Sequence, residues 1–420
     1  MKRFIFTAIF VCSITNIFAQ DFDIDSAINY AKMQFHSEMT ERDFETAAEL
    51  LEKVVEIQPE NAEAYYILGY LYDAMSSNYT VGLIADSSLT LTLKVSAALE
   101  KSIELEPEYT GELIILDPYT KLSSVWGAYA FVQYYKGNVD SAKWALLEGK
   151  KRGGFSNYSL SHYRKVLEQC SKNAILLSNG DLPFFSTLYL QLIENVRTDV
   201  TIIELEQILS DWYFQFLLSQ EKVPFSITLA EYKKLAKDIY KKWTPKPLKI
   251  KTSHGKFTWT PITKHKVVLV YNEEVLLDLI KTNKFKKDIY FTAGGDPVYY
   301  LGLNDFFNSN FISRRVNYDK QEQLDVNQTI ELVKYIYKEI DIFNPAVKSD
   351  FTILLVNRIG ILIQIAEYLN LYEIEEACLL YDTFISLDDL EKIPYPANYA
   401  DCEEFHKSIS DRILKFRNEE

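Results

Sequence analysis

The chain has 420 residues, of which 59 are acidic and 45 are Lys or Arg, so its formal net charge is -14. This length accommodates two or three domains with buried cores. The 48% hydrophobic and 25% charged contents are ordinary for a globular protein, which excludes wholesale disorder, collagen and coiled coil. Net acidity argues against general nucleic-acid binding, because phosphates are repelled at long range. We therefore expect no nucleic-acid partner.

The N-terminus has the three parts of a secretory signal peptide. Lys2 and Arg3 precede an apolar stretch that begins at Phe4, and Ala19 comes shortly before an acidic run. A basic start, an apolar core and a small residue at the exit are typical of a cleaved export signal. We predict a signal peptide over residues 1–19 and an exported protein that is periplasmic or associated with the cell envelope. No later segment is apolar for long enough to span a membrane, so we expect no transmembrane span after cleavage.

Three cysteines follow the predicted signal peptide, namely Cys170, Cys378 and Cys402. Their odd number and wide spacing match neither a disulfide framework nor a metal cluster. Cys378 and Cys402 could pair, whereas the simpler interpretation is that all three are buried free thiols. We predict neither a metal site nor a cofactor.

Residues 20–155 are predicted to form helical repeats of the tetratricopeptide type. The first-helix pattern is an aromatic residue, an apolar residue, a small residue and a second aromatic residue, at Tyr65, Leu68, Gly69 and Tyr72. The small residue lets two helices approach closely. The second-helix pattern places a small residue, a large residue and a helix-ending proline at Ala47, Leu51 and Pro59, and at Val95, Leu99 and Pro107, where Val95 occupies the small position. A third unit starts at Trp126.

A stack of such helix pairs forms an extended surface that suits a peptide or a protein partner. We therefore predict a protein partner and take Tyr65, Tyr72 and Trp126 as partner-binding candidates. The alternative is an unrelated helical bundle.

Residues 165–318 alternate between strand and helix patterns. The predicted strands cover residues 174–177, 200–203, 267–271, 288–292 and 311–316, and the predicted helices cover 184–196 and 273–284. These elements predict an α/β domain with a mostly parallel sheet, flanked by the front repeats. Residues 322–420 are helical in pattern again and predict a C-terminal helical repeat region.

Two of the predicted strands end in a glycine-containing turn that is followed by aspartate. The residues concerned are Asn179, Gly180 and Asp181, and Gly294, Gly295 and Asp296. Ligands of parallel sheets bind beyond the carboxyl ends of the strands, glycine permits a close approach, and a carboxylate accepts hydrogen bonds from hydroxyl groups. These six residues are our candidates for binding a polar or glycan ligand, and Asp181 and Asp296 are the candidate catalytic carboxylates. The alternative is that both aspartates cap helices and the glycines only make turns.

Two blocks of the chain have a familiar order and spacing. The first combines residues 173–181 with Leu188-Tyr189-Leu190-Gln191, Arg197-Thr198-Asp199-Val200 and Asp211-Trp212-Tyr213; the second combines Lys287-Asp288-Ile289-Tyr290-Phe291 with Leu301-Gly302-Leu303 and Asp305-Phe306. They resemble the soluble extracytoplasmic part of the bacterial domain-of-unknown-function family 2723, which is also classed among membrane glycosyltransferases. The resemblance covers roughly residues 165–390.

The resemblance has two departures. Leu182 and Pro183 follow the Asn-Gly-Asp run, where the family continues with polar residues. The multi-span membrane portion of the family, where glycosyl transfer is expected, has no counterpart in this sequence. The resemblance therefore implies a soluble relative of an accessory domain, with a role near envelope glycans or glycoproteins, and it transfers no enzymatic activity.

A lysine-rich segment lies between residues 233 and 266, with eleven lysines and one acid, and Trp243, Phe257 and Trp259 are interleaved among the lysines. Such a segment can bind acidic polymers, phosphorylated sugars or anionic lipid headgroups. The alternative is a solvated helix face followed by a hairpin edge that lysines protect against aggregation.

The sequence contains none of the short motifs that mark metalloproteases, serine hydrolases, redox dithiols or nucleotide sites. We predict an exported, non-catalytic tetratricopeptide-repeat binding or scaffold protein of the bacterial cell envelope, accessory to envelope glycan or glycoprotein assembly. The alternative is an enzyme that acts on envelope glycans through Asp181 and Asp296. A third interpretation is an accessory subunit that docks onto a membrane glycosyltransferase.

Overall fold

The computed structural model of the chain describes residues 22–38, 41–76, 88–220, 223–252, 255–294, 297–317, 326–338, 351–387 and 400–419. The predicted signal peptide lies outside these ranges, and so do Gly295 and Asp296. The described part is rich in helix and contains a small mixed sheet.

The front of the chain is helical. Its helices are α1 (Ile24–His36), α2 (Phe44–Ile57), α3 (Ala62–Ser76), α4 (Leu89–Leu105), α5 (Pro118–Tyr135) and α6 (Val139–Lys151). Each helix packs against the next one along the chain. Asp23, Asp43 and Asp117 accept backbone N–H groups at the starts of α1, α2 and α5, which is the hydrogen bonding that a helix N-terminus requires.

Helices α3 and α4 approach closely at Gly69. A Cβ atom at this position would lie 3.0 Å from Leu99 Cδ2, so even an alanine would require a small adjustment of the Leu99 side chain. The other residues of the predicted second-helix pattern are also in the core, since Ala47, Leu51, Val95 and Leu99 are at most 1% exposed. The close helix packing that the pattern predicts is therefore present. The assignment to the tetratricopeptide family stays a prediction.

Helix α7 (Asn157–Gln169) leads into a five-stranded sheet. Its strands are β1 (Ile175–Ser178), β2 (Thr201–Glu204), β7 (Ile289–Thr292), β8 (Phe307–Ser309) and β9 (Ser313–Val316), in the order β2-β1-β7-β9-β8. Strands β2, β1 and β7 are parallel, whereas β9 runs antiparallel to both β7 and β8. The sheet is therefore mixed, and parallel pairing is confined to three strands.

The strand predicted over residues 267–271 does not belong to this sheet. Strand β6 (Val268–Val270) pairs antiparallel with β3 (Tyr240–Lys242), and β4 (Leu248–Thr252) pairs with β5 (Gly255–Trp259) in a separate hairpin. The prediction of one sheet was wrong at this point. A β-branched run indicates an extended backbone, but it does not specify which strand it pairs with.

The remaining helices pack around the strands or follow them. They are α8 (Asp181–Leu192), α9 (Asp211–Ser219), α10 (Leu229–Leu235), α11 (Tyr271–Asn283), α12 (Val326–Lys338), α13 (Phe351–Asn370), α14 (Ile374–Ile385) and α15 (Ala400–Glu419). Within the described ranges, every helix is too short or too polar to cross a membrane. The last four form the helical C-terminal region, whose assignment to repeats stays a prediction.

The front helices and the sheet region share one hydrophobic core. Helix α5 packs directly on α8, and Gly127 marks the contact, because a Cβ atom there would overlap the Phe185 side chain. This contact brings α5 to the carboxyl edge of the parallel strands, where α8 begins.

Candidate functional site

The ends of β1 and β2 meet at one edge of the sheet. Ser178 pairs with Glu204 in parallel register, so the residues that follow the two strands are neighbours. The amide of Asn179 donates to Glu206 Oε1 at 3.4 Å. The backbone N–H of Gly180 donates to Glu204 Oε1 at 3.0 Å. We call Asn179, Gly180, Asp181, Glu204 and Glu206 the strand-end site.

Glu204 holds the two loops of the strand-end site together. Its side chain is 3% exposed, and its second oxygen, Oε2, accepts the backbone N–H of Gln207 at 2.6 Å. Burial raises the pKa of this carboxyl to about 8, against the two backbone hydrogen bonds, which lower it. Because both oxygens are engaged and the group is buried, Glu204 positions the loops and does not face a ligand.

Gly180 leaves the backbone of the site open. Its φ of +94° lies in the region that favours glycine, and a Cβ atom there would have no neighbour within 4 Å. Helix α8 begins at Asp181 directly after this residue. Asp181 is therefore the first residue of the helix and not its N-cap. The alternative prediction that Asp181 caps the following helix was wrong.

Asp181 is in contact with the front helices. The hydroxyl of Ser124, on α5, donates to Asp181 Oδ2. Burial raises the pKa of Asp181, whereas the Ser124 hydrogen bond and the charge of Lys121 lower it. Lys121 is itself paired with Asp73 on α3 at 2.6 Å. Helix α5 thus forms one wall of the strand-end site, and the Lys121–Asp73 ion pair ties this wall to α3.

Glu206 is the accessible carboxylate of the site. It is half-buried, and it accepts the phenol of Tyr299 at 3.2 Å through the same oxygen that accepts the Asn179 amide. Tyr299 lies in the short 3₁₀ turn Pro297–Tyr300 beyond the end of β7. A carboxylate, an amide and a phenol grouped around an open glycine backbone are suited to hydrogen bonding with the hydroxyl groups of a polar ligand.

The second predicted group is only partly described. Gly294 is exposed, has a φ of +81°, and lines a cavity of about 200 Å³ with Arg314 and Glu367. This cavity lies on the β9 side of β7, whereas the strand-end site lies on the β2 side of β1. Gly295 and Asp296 are outside the described residues, so the prediction that Asp181 and Asp296 form a pair stays untested.

The three partner-binding candidates lie in different surroundings. Tyr65 is half-buried, and so is Tyr72, whose hydroxyl donates to Glu52 at 2.6 Å. Trp126 is 0% exposed, and its indole N–H donates to Ser96 Oγ at 2.9 Å. Trp126 is therefore a core residue and cannot contact a partner in this structure, because helix packing covers its ring.

An exposed tryptophan lies next to the buried one. Trp144, on α6, is 43% exposed and meets Trp126 edge-on with 5.8 Å between the ring centroids. Leu147, one helical turn further on, is 49% exposed. Sequence reasoning missed both residues, although their spacing of three places them on one helix face.

The described residues contain no group of three or more His, Cys, Asp or Glu side chains that could hold a metal ion. Cys170, Cys378 and Cys402 are all free thiols. Cys170 is buried, whereas Cys378 and Cys402 are half-buried. All three cysteines are free thiols, as the simpler interpretation predicts, but of the three Cys170 alone is fully buried.

Residues 160–262 match a family model described as TMEM260-associated domain 2. The match covers about a quarter of the chain and contains β1, β2, the β4–β5 hairpin and the strand-end site. Searches of curated proteins and of solved structures found no match.

Proposed function

We propose that the chain is an exported, non-catalytic scaffold protein of the bacterial cell envelope. It binds a protein partner through its front helices and a glycan-type ligand at the strand-end site. The observation that carries the proposal is the accessible group of Glu206, Asn179 and Tyr299 beside the open backbone of Gly180. The amide and the phenol can donate hydrogen bonds to the hydroxyl groups of a ligand, and the carboxylate can accept them.

The front helices support the partner-binding half of the proposal. Their consecutive packing and the close approach at Gly69 are the features that tetratricopeptide repeats use to build a continuous surface. Trp144 and Leu147 give this surface an exposed apolar pair, and tryptophan is enriched among the residues that dominate binding energy. We propose that this pair, together with Tyr65 and Tyr72, contacts the partner.

The envelope setting rests on the sequence. The N-terminal pattern indicates export, and the similarity to a TMEM260-associated domain agrees in position with the first block that resembles family 2723. That resemblance supports a role in envelope glycan or glycoprotein assembly. It also supports the reading of residues 165–318 as an α/β ligand-binding domain, within which the parallel strands carry the site.

One observation favours the alternative, an enzyme acting on envelope glycans. Burial raises the pKa of Asp181, as general acids of glycosidases require. Asp181 is nevertheless bonded to Ser124, and Glu204 is buried with both oxygens engaged. Release of reducing ends from envelope glycans by the wild type, and its loss in Asp181→Asn, would establish the enzyme and overturn the non-catalytic proposal.

The ligand is tested with a panel of neutral and acidic envelope oligosaccharides, measured by calorimetry. Glu206→Gln removes the accessible carboxylate, and we expect at least a ten-fold loss of affinity, the usual effect of a hydrogen bond to a charged group. The matched control is Glu375→Gln, an exposed glutamate on α14. Equal affinities of the wild type and Glu206→Gln for every bound sugar would contradict the proposed site.

The partner is tested by affinity capture from envelope extracts. The double variant Trp144→Ser/Leu147→Ser is compared with the wild type and with the control Leu379→Ser/Leu414→Ser, which changes exposed leucines on α14 and α15. We expect a protein that the wild type and the control retain and the first variant loses. Recovery of identical proteins from all three would contradict the front-helix proposal. N-terminal sequencing of the envelope-associated protein tests cleavage after residue 19.

A further inference from the structure

The lysine-rich segment between residues 233 and 266 forms an exposed, largely unpaired basic surface. All eleven lysine side chains are exposed. In the part of the chain that the structure describes, Lys241 forms the single ion pair of this segment, with Glu274 at 3.2 Å. The chain has 59 acidic side chains, so carboxylates that could pair with lysines are abundant. Because few ion pairs form in the described part of this segment nevertheless, its exposed charges are available to an external anion.

The β4–β5 hairpin separates charge from apolar residues by its register. Ile250 pairs with Phe257, and both are buried on one face. Lys251 pairs directly with Lys256 on the opposite face, and Lys249 is two residues away on the same face. Like charges directly opposite each other destabilise a hairpin, so a bound anion would relieve this repulsion. The three lysines also line one shallow depression.

A second ribbon of the lysine-rich segment carries an exposed aromatic side chain. In the β3–β6 ribbon, Tyr240 is 68% exposed and pairs with Val270. Lys242, two residues further on, is exposed on the same face of the ribbon as Tyr240. The backbone N–H of Trp243 donates to Val267 O at 2.8 Å, which extends the pairing by one residue beyond Lys242 and Val268. Tyrosine side chains among lysines are typical of surfaces that rest at a membrane interface.

We propose that the β4–β5 hairpin and the β3–β6 ribbon bind the surface of an anionic lipid membrane. The lysines contact phosphate headgroups, and Tyr240 enters the boundary between headgroups and acyl chains. A soluble acidic polymer would use the lysines but gain nothing from the exposed aromatic ring. The proposal goes beyond the scaffold function and does not depend on it, since neither the front helices nor the strand-end site takes part.

The test is sedimentation of the purified mature protein with vesicles. We compare phosphatidylcholine alone with an equal mixture of phosphatidylcholine and phosphatidylglycerol, each at low and high salt. We expect binding to the anionic vesicles at low salt and release at high salt. Lys249→Gln/Lys251→Gln/Lys256→Gln should weaken binding on the order of 100-fold, at about five-fold per lysine. The control Lys53→Gln/Lys143→Gln/Lys407→Gln changes exposed lysines elsewhere and should bind as the wild type does.

A second variant separates a membrane from other anionic partners. Tyr240→Ser keeps every charge, and we expect it to weaken vesicle binding while thermal unfolding confirms that it is folded. Unchanged vesicle binding by either variant would overturn the proposal. The proposal would also be overturned if the wild type bound soluble dextran sulfate but no vesicles, and this variant bound dextran sulfate equally well. Residues 20–110 carry 18 acids and 5 bases, so the acidic front of a second copy of the chain could also bind the basic surface. Dimerisation at low salt without vesicle binding would show that the surface serves this contact and would overturn the membrane proposal.

Discussion

The hydroxyl of Ser124 donates a hydrogen bond to the carboxylate of Asp181, across 57 residues of sequence. It joins helix α5 of the front region to the first turn of α8, where the strand-end site begins. The same α5 carries Lys121, whose charge stabilises the ionised form of Asp181. The site is therefore completed by the helical region, so a shift of α5 on partner binding would change the electrostatics of the site.

Ser124→Ala tests this connection. The hydroxyl lowers the pKa of Asp181, so its loss should raise that pKa further and destabilise the protein by about 1–3 kcal/mol while Asp181 is ionised. This loss of stability should become smaller as the pH falls and Asp181 becomes protonated. Urea unfolding of the wild type and of Ser124→Ala at several pH values measures the loss, and Ser141→Ala, at an exposed serine, is the control. A pH-independent difference would show that the hydrogen bond does not act through the charge of Asp181.

Glu204 should make the protein less stable as the pH rises. Its folded pKa is about 8 against an ordinary value of 4.5, so the folded state holds the proton more tightly than the unfolded state. Stability is therefore fully present below pH 4.5 and is lost as the pH rises through 8, by several kcal/mol in all. Glu204→Gln should lower stability at acidic pH, because one backbone donor loses its acceptor, and it should flatten this slope, because the amide does not ionise.

His162 should have the opposite effect. It is buried on α7, close to the Asn357 amide at 3.1 Å, and burial lowers its pKa to about 3. Below pH 6.5 the unfolded state takes up a proton that the folded state does not, so stability falls as the pH drops from 6.5 to 3. His162→Gln should remove this part of the acid sensitivity.

The two groups together predict a stability optimum between pH 4.5 and 6.5, where their slopes oppose each other. Guanidinium unfolding from pH 4 to 9 measures the curve, with each variant changing one limb only. A maximum that stays unchanged in both single variants would show that neither group sets it.

The sequence predicted local pattern better than partnership. Strands β1, β2 and β7 follow from apolar and β-branched runs and their turn signals, and helices α8 and α11 follow from apolar residues at helical spacing. The loop at Gly180 follows from its Asn-Gly-Asp run. The pairing of β6 with β3 could not be predicted, because β3 is a three-residue exposed strand with two lysines that carries no strand pattern. Strand pairing is decided by tertiary packing, which single-sequence periodicity does not contain.

The candidate site shows the same division. Asn179, Gly180 and Asp181 were found because the turn marks them, whereas Glu204 and Glu206 lie at the end of a strand without any flanking signal. Their proximity follows only from the parallel register of β1 and β2. The sequence does not show that Trp126 is buried and Trp144 exposed. Helix α5, which carries Trp126, is covered on both sides, and its buried residues include Lys121 and several serines. A helix buried all round has no apolar stripe to indicate its inner face.

Gly127 should tolerate no side chain, in contrast to Gly69. Both lie inside helices, where Ala is intrinsically better than Gly by about 1 kcal/mol. At Gly127 the new Cβ would overlap Cβ and Cγ of Phe185, which lie too close to the backbone to move away. At Gly69 the new Cβ would lie 3.0 Å from Cδ2 and Cγ of Leu99, which a change of rotamer can displace. We expect Gly127→Ala to destabilise the protein by about 1–2 kcal/mol net, since overpacking typically costs 1–3 kcal/mol.

The matched control for that variant is Gly69→Ala, which should change stability by less than about 0.5 kcal/mol, because Leu99 can adopt another rotamer. Thermal and urea unfolding of the two variants decide the comparison. Equal destabilisation would show that the two helix contacts are equally tight.

The three thiols should differ in reactivity. Burial raises the pKa of Cys170 to about 12 and also raises that of Cys402, which is only half-buried. The thiolate is the reactive form, so Cys170 should be inert in the native protein at pH 8, whereas the half-buried Cys378 and Cys402 are accessible and should be labelled. Mass spectrometry after labelling with iodoacetamide counts the modified residues, with urea-unfolded protein giving three as the control. If Cys170 is labelled as fast as Cys402, the junction between α7 and β1 opens readily. If Cys378 and Cys402 are labelled only after reduction, the exported protein forms a disulfide between them.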